Sequence, residues 1–262
     1  MELYLKDIHH SFHFSAYRDW YHPGRMTVLP HPWINHSRPD RDRLVWRDKP
    51  PLRAGFMGSV YGSSAVVRIA RNLPSFARQR LLRGGYLRHS RWLARAYAAR
   101  LPIKFALAFP RSESLEALVK QADFPVDVID TGGFTGQQDA RDRYVEAMLA
   151  STYVICPRGS ENFSYRAYEA LFFGRVPVII DTHMVLPDAV PWREVGIVVP
   201  YEDLDRIADM IREDYEGHSA AQFRERQELG LKVMDELAQG HWLDRALQRV
   251  IWPGDGHGNS AE

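Results

Sequence analysis

The chain has 262 residues, 45% of them hydrophobic and 26% charged, with 34 basic side chains against 33 acidic ones for a formal net charge of +1. This is the composition of an ordinary globular protein with a core, and the charge balance excludes a general nucleic-acid binder, which carries a basic excess. A single cysteine, Cys156, excludes an intrachain disulfide, no run approaches the ~20 apolar residues of a membrane span, and the first twenty residues lack the apolar stretch of a signal peptide.

Residues 1–50 read as irregular and are rich in His, Pro, Trp and Arg. One short strand is expected over Met26 to Leu29, followed by a loop, HPWINHSRPDRDR. The pattern then changes. LRAGFMGSV (52–60) reads as a short buried strand ending in Gly-Ser, and Ala65 to Leu73 and Arg91 to Arg100 as helices. IKFALAF (103–109) reads as a strand, and Ser112 to Gln121 as a helix with Ser112 at its N-cap. VDVID (126–130) is a strand leading into TGGFTGQQ, and Asp139 to Leu149 is helical. TYVIC (152–156) is a strand, Ser164 to Phe173 a helix stopped by Gly174, and VPVII (176–180) and GIVVP (196–200) two more strands. Leu204 to Asp214 reads as a helix, residues 220–248 as a long charged helical region, and GDGHGNSAE as a disordered tail.

Strands alternating with helices predict an α/β fold: a Rossmann-like parallel sheet with helices on both faces. The expected organisation is a reduced N-terminal segment and link (1–50), a Rossmann-like domain (51–217), and a C-terminal helical region with its tail (218–262).

Ligands of such sheets sit beyond the carboxyl ends of the strands. The loop after TYVIC is at such an end, reads PRGSENFS, and opens a helix whose first turn presents unpaired N–H groups and partial positive charge. Arg158 lies in the loop and Arg166 in the first turn. Two guanidinium groups beside a helix N-terminus suit a diphosphate, and Ser160 and Ser164 add hydroxyl donors. Glu169, three residues beyond Arg166, shares its helix face and is placed to accept bonds from ribose hydroxyls. A surface ion pair between Arg166 and Glu169 is the plain alternative. Tyr165, Tyr168, Leu171 and Phe172 are expected to form the buried side of the helix.

Cys156-Pro157-Arg158-Gly159, the polar turn Ser160 to Ser164, Glu169-Ala170 in an aromatic-rich helix, Pro177-Val178 in the next strand and the later Leu186-Pro187 resemble the C-terminal domain of the exostosin family of glycosyltransferases. FMGSV (56–60) and VLP (28–30) are similar to that family's first strand end and interdomain link. The resemblance covers roughly residues 26–215 and is strongest over 150–190. It implies a GT-B-like architecture, here with a much reduced N-terminal part. It also implies transfer of sugar from a nucleotide diphosphate donor to a glycan or lipid-linked acceptor, with inversion, and without a metal or other cofactor. By position, Arg158, Gly159, Ser160, Ser164 and Arg166 would hold the diphosphate and Glu169 the ribose. Gly58 and Ser59 would let backbone approach the donor from the first strand end. No catalytic base is assigned by the pattern, because the acceptor side belongs to the family's N-terminal domain, which this sequence lacks, has in reduced form, or takes from a partner.

Weaker signals remain. His9, His10 and His13 cluster near Asp7, where they suit a base or a metal, or simply pack on aromatic neighbours. TGGFTG (131–136) follows a strand but lacks a P-loop lysine. Arg68, Arg71, Arg78, Arg80 and Arg83 form a basic run, a solvated face or a contact with an anionic acceptor, a lipid carrier or a membrane surface. Location follows as cytoplasmic, at a membrane surface, or lumenal for a domain excised from a secretory-pathway enzyme. Two other readings stay open: a fucosyltransferase-like GT-B enzyme, and a non-catalytic nucleotide-sugar-binding or scaffold domain.

Overall fold

The computed structural model describes residues 10–34, 36–60, 109–131, 138–159 and 161–251. The helices expected at 65–73 and 91–100, the strand expected at 103–109 except Phe109, which opens a helix instead, TGGFTG beyond Thr131, the basic run and the tail lie outside these residues, as do Asp7, His9 and Ser160.

Five strands form one parallel sheet: β3 (Ala54–Gly58), β4 (Val126–Asp130), β5 (Tyr153–Cys156), β6 (Val176–Asp181) and β7 (Ile197–Pro200), in the order β4-β3-β5-β6-β7. The α/β, Rossmann-like reading therefore holds. Register runs from Ala54 beside both Val126 and Tyr153, through Val154 beside Pro177, to Ile180 beside Val199. A strand sends successive side chains to opposite faces, and the two faces are covered by different helices. Tyr153, Ile155, Val176, Val178 and Ile180 join a core closed by α2 (Phe109–Gln121) and α6 (Ile207–Gly217). Val154, Cys156 and Ile179 join a second core closed by α3 (Gln138–Ala150), α4 (Tyr165–Phe172), α5 (Trp192–Val195) and α7 (Ala220–Ala238). The near-continuous apolar strands are what burial on both faces requires.

Two expectations on the elements are corrected. Ser112 is not an N-cap: α2 begins at Phe109, and Ser112 is buried inside it. Pro110 explains the earlier start, since its fixed φ and missing N–H suit the first turn. The helical region expected over 220–248 is present as two helices, α7 and α8 (His241–Ile251), separated at Gly240 in the left-handed conformation (φ 77°). Of the four residues expected to form the buried side of α4, Tyr168 and Leu171 are buried, but Tyr165 is 36% exposed. It stands at the first helical position, beyond the reach of the core.

The N-terminal segment contains a two-stranded parallel ribbon, β1 (Ser11–His13) with β2 (Met26–Val28), and a short helix α1 (Arg41–Leu44) inside the expected loop. The chain between the ribbon strands is fastened to the sheet's carboxyl end. Tyr17 bridges Met184, Arg18 N–H donates to the His183 carbonyl (2.9 Å), and Arg18 pairs with Asp181 (2.8 Å).

Candidate functional site

Strand order reverses between β3 and β5: from β3 the chain proceeds to β4 on one side, then returns to β5 on the other. Connections leaving these neighbours diverge to opposite sides, which opens a crevice beyond their carboxyl ends. Gly58-Ser59 and Pro157-Arg158-Gly159 stand at those two ends. Of the residues expected at the site, Gly58, Ser59, Arg158 and Gly159 stand at these two strand ends, and Ser160 lies outside the described residues.

Arg166, in the first turn of α4, reaches back over the end of β3. Its Nη2 donates to the Met57 carbonyl (3.1 Å), and its guanidinium lies over the Phe56 ring (4.3 Å). Gly58 makes this approach feasible: a Cβ there would meet Nη2 at 2.4 Å, at φ 155°. Arg158 is buried at 1% exposure; its Nη1 donates to the Tyr17 hydroxyl (2.6 Å). Gly159 N–H donates to the Phe163 carbonyl (3.0 Å) and closes the loop on itself. The buried Asn162 ties that loop to Ser15, Ala16 and Thr182. Ser164 occupies the N-cap of α4 and is 8% exposed.

A further guanidinium joins Arg166 at these strand ends. Arg111, in the first turn of α2, donates from Nη1 to the Ser59 carbonyl (2.6 Å) and from Nη2 to the Arg158 carbonyl (3.3 Å), joining both strand ends. Burial, then the positive field of Arg166, lowers its pKa from the ordinary arginine value to about 10, against a smaller opposing pull from Asp130. Among the described residues neither Arg111 nor Arg166 forms an ion pair, and Nε of each is buried without a hydrogen-bond partner. Like charges crowded in a partly desolvated crevice raise the energy of the free protein, and an anion there lowers it. The arrangement is suited to a ligand with two or more negative charges.

Glu169 lies one turn beyond Arg166. One carboxylate oxygen accepts the Tyr144 hydroxyl (2.5 Å) and the other is 3.9 Å from His36 Nε2, whose ring stacks on Tyr144 (5.1 Å, 13°). Arg166 and Glu169 act on a common neighbourhood. Tyr144 is held far above its ordinary pKa chiefly by burial, with Arg166 pulling it down and Glu169 pushing it up. Cys156, wholly buried, responds to the same two charges after burial itself. The carboxylate thus stands beside the cluster but engaged by its own protein's groups. The histidines gather differently: His10 hydrogen-bonds Thr27 (2.9 Å) and His13 hydrogen-bonds Ser11 (2.9 Å).

Arg111 and Tyr17 were not singled out in the sequence. Arg111 had left a signal: Phe109-Pro110-Arg111-Ser112 repeats the pattern of Cys156-Pro157-Arg158-Gly159, a Pro-Arg step closing an apolar run. Tyr17 sits in irregular chain and had left none.

Residues 112–213 match the Exostosin GT47 domain. The exostosin-like resemblance thus holds over α2 to α6, although the match does not reach FMGSV or VLP. A probable glucuronosyltransferase of Oryza sativa subsp. japonica is 43% identical over 70 residues, which are 26% of this chain and 16% of that relative. A second probable glucuronosyltransferase of the same species is 41% identical over 70 residues, 26% of this chain and 17% of the relative. The probable beta-1,4-xylosyltransferase IRX10 of Arabidopsis thaliana is 41% identical over 66 residues, 24% of this chain and 16% of that relative. The shared stretch is therefore a small part of each of these curated relatives. Among the described residues no helix is long and apolar enough to cross a membrane.

Proposed function

We propose that this exostosin-like chain transfers sugar from a nucleotide diphosphate donor to a glycan acceptor, and that the crevice between β3 and β5 holds the donor's diphosphate. The observation that carries the reading is the convergence of Arg111 and Arg166 on the ends of β3 and β5, neither with an ion-pair partner among the described residues; the Arg158 carbonyl receives Arg111, while its buried guanidinium donates to Tyr17. Guanidinium groups present paired N–H donors in a fixed plane that matches phosphate oxygens. The N-terminus of α4 adds backbone donors and partial charge. As the glycosidic bond breaks, negative charge collects on the leaving diphosphate, and preorganised cations at that point lower the barrier. In this reading the arginines take the role a metal plays in other transferases, and inversion follows from direct attack by the acceptor hydroxyl.

Glu169 receives the ribose by exchanging its weaker contact with His36 for a sugar hydroxyl, while Tyr144 keeps the other oxygen in place. The printed names of the relatives supply the sugars to try first, glucuronosyl and xylosyl. The test is transfer or hydrolysis with a panel of nucleotide sugars, with and without a chelator. The reading predicts turnover of at least one donor at an undiminished rate in chelator. No turnover of any donor, or loss of turnover in chelator, contradicts the corresponding part of it.

A further inference from the structure

The large hydrophobic side chains exposed among the described residues divide by type. The aliphatic ones, Val119, Ile129 and Leu243, are scattered on α2, β4 and α8. The aromatic ones are Phe12 (38% exposed), Phe14 (50%), Trp33 (60%) and Tyr165 (36%), three from the N-terminal segment and one from the start of α4. Phe14, Trp33 and Tyr165 form one surface with His31 and Phe163. Phe14 stacks on His31 (4.4 Å between centroids, 27°), His31 meets Tyr165 edge-on (5.1 Å, 66°), and Trp33 and Phe163 both pack edge-on against Tyr165 (5.8 and 4.8 Å). The Tyr165 hydroxyl and His31 Nδ1, 3.3 Å apart, put hydrogen-bonding groups among the rings. Folding alone does not account for so much exposed ring surface, since burial is where aromatic side chains stabilise most.

Along the chain this surface adjoins the arginine cluster. Phe163 supplies the carbonyl that receives Gly159 N–H, and Tyr165 directly precedes Arg166. We infer that Phe14, Trp33 and Tyr165 form a stacking platform for the pyranose rings of a neutral acceptor glycan, an inference that rests on the donor reading above. A pyranose face presents several C–H groups of slight positive charge, which match the negative face of an aromatic ring. Its equatorial hydroxyls point to the edges, where Tyr165 and His31 offer polar atoms. Rigid flat rings do this at small entropic cost, having few torsions to fix. An acceptor lying here ends beside the diphosphate, where its terminal hydroxyl is needed.

The inference is tested with three probes, cellohexaose, xylohexaose and mannohexaose, titrated into the full chain without donor. A nucleoside diphosphate is titrated in parallel. At least one hexaose is expected to bind saturably, with affinity falling about tenfold in Trp33→Ala and again in Trp33→Ala with Phe14→Ala. Trp33→Phe, which keeps a ring, is expected to hold affinity within about twofold. Nucleoside diphosphate affinity is expected to be equal in all of these variants, which also shows that they are folded. The inference is overturned if no hexaose binds, or if the double variant binds as well as the parent. It is overturned equally if the variants change only self-association, which would make the rings a contact for a second copy, or if they lose the nucleoside diphosphate, which would make them a seat for the donor's base. Hexaose binding without any nucleoside diphosphate binding supports the platform and overturns the donor reading instead.

Discussion

Arg111 is buried and, to a smaller extent, repelled by Arg166, and the combined cost to its charge has a measurable sign. Below about pH 10 Arg111 is protonated in both folded and unfolded chains, so the folded state bears the whole cost of its buried charge. Between about 10 and the ordinary arginine value the unfolded chain binds more protons, so this group's contribution to stability improves as pH rises. A bound diphosphate favours the charged form, so its affinity falls as pH rises through about 10. Arg111→Gln is expected to weaken nucleoside diphosphate binding by about 1.5–3 kcal/mol, the usual worth of a charge-assisted hydrogen bond, and to flatten the pH profile. Calorimetry from pH 8 upward (~8 to ~10.5, bracketing the shifted arginine) checks both, and equal affinity in the variant contradicts the role. Cys156 offers a second check at this scale. Its thiol is wholly buried, donates to the Val154 carbonyl (3.1 Å) and is pushed well above its ordinary pKa by burial. Since the thiolate is the reactive form, a thiol reagent is expected to label the chain only when denatured. Rapid labelling of native protein would show that β5 and α4 are packed less closely than described.

Among the elements, β3 and α4 meet through one atom-sized constraint. A methyl group at position 58 would collide with Arg166 Nη2 in a conformation that favours glycine. Gly58→Ala is therefore expected to displace the guanidinium, cost about 1–3 kcal/mol of stability, and lower nucleoside diphosphate affinity; thermal unfolding and calorimetry on the same sample separate the two effects. The C-terminal helix α7 is tied to the domain by Gln227, which is buried at 3% exposure. Its amide donates to the carbonyls of Leu44 (2.8 Å) and Gly174 (2.7 Å), and its oxygen accepts Trp46 N–H (3.0 Å). Arg175 also serves both carbonyls, so Gln227→Leu chiefly orphans the Trp46 N–H. A loss of about 1–3 kcal/mol in denaturant unfolding is expected, and an unchanged midpoint would show that water replaces the amide.

Most strands of the sheet were legible because they are runs of β-branched or aromatic residues, as in VDVID and VPVII, whereas β3, AGFMG, was legible as an apolar run ended by Gly. The ribbon of Ser11–His13 with Met26–Val28 was half legible: β2 shows an apolar pattern, whereas SFH has no period until its partner supplies one. Arg158 and Arg166 were legible as a pair because both flank one helix start. Arg111 was not, because it comes from a helix 47 residues earlier in the chain than Arg158, and only the sheet's reversal brings them together. Tyr17 and the ring surface depend on contacts between residues some 130 or more positions apart, such as Tyr17 with Arg158 and His31 with Tyr165, for which a single sequence carries no local signal.

For the whole molecule, the N-terminal segment is joined to the domain that carries the exostosin match. The segment supplies Tyr17 to Arg158, Arg18 to Asp181, and Phe14, His31 and Trp33 to the ring surface, while the domain supplies the arginines and α4. Sugar donor and acceptor would then meet along the seam between them, with the charged crevice on one side and flat rings on the other. The measurement that tests this account most directly is calorimetric titration of uridine and guanosine diphosphates into the parent chain and into Arg166→Ala, with circular dichroism as the check on folding. The account predicts saturable binding of at least one of them by the parent, and none by a variant whose spectrum and unfolding midpoint remain close to the parent's. Equal affinity in the two proteins, or a parent that binds neither nucleotide, would contradict it.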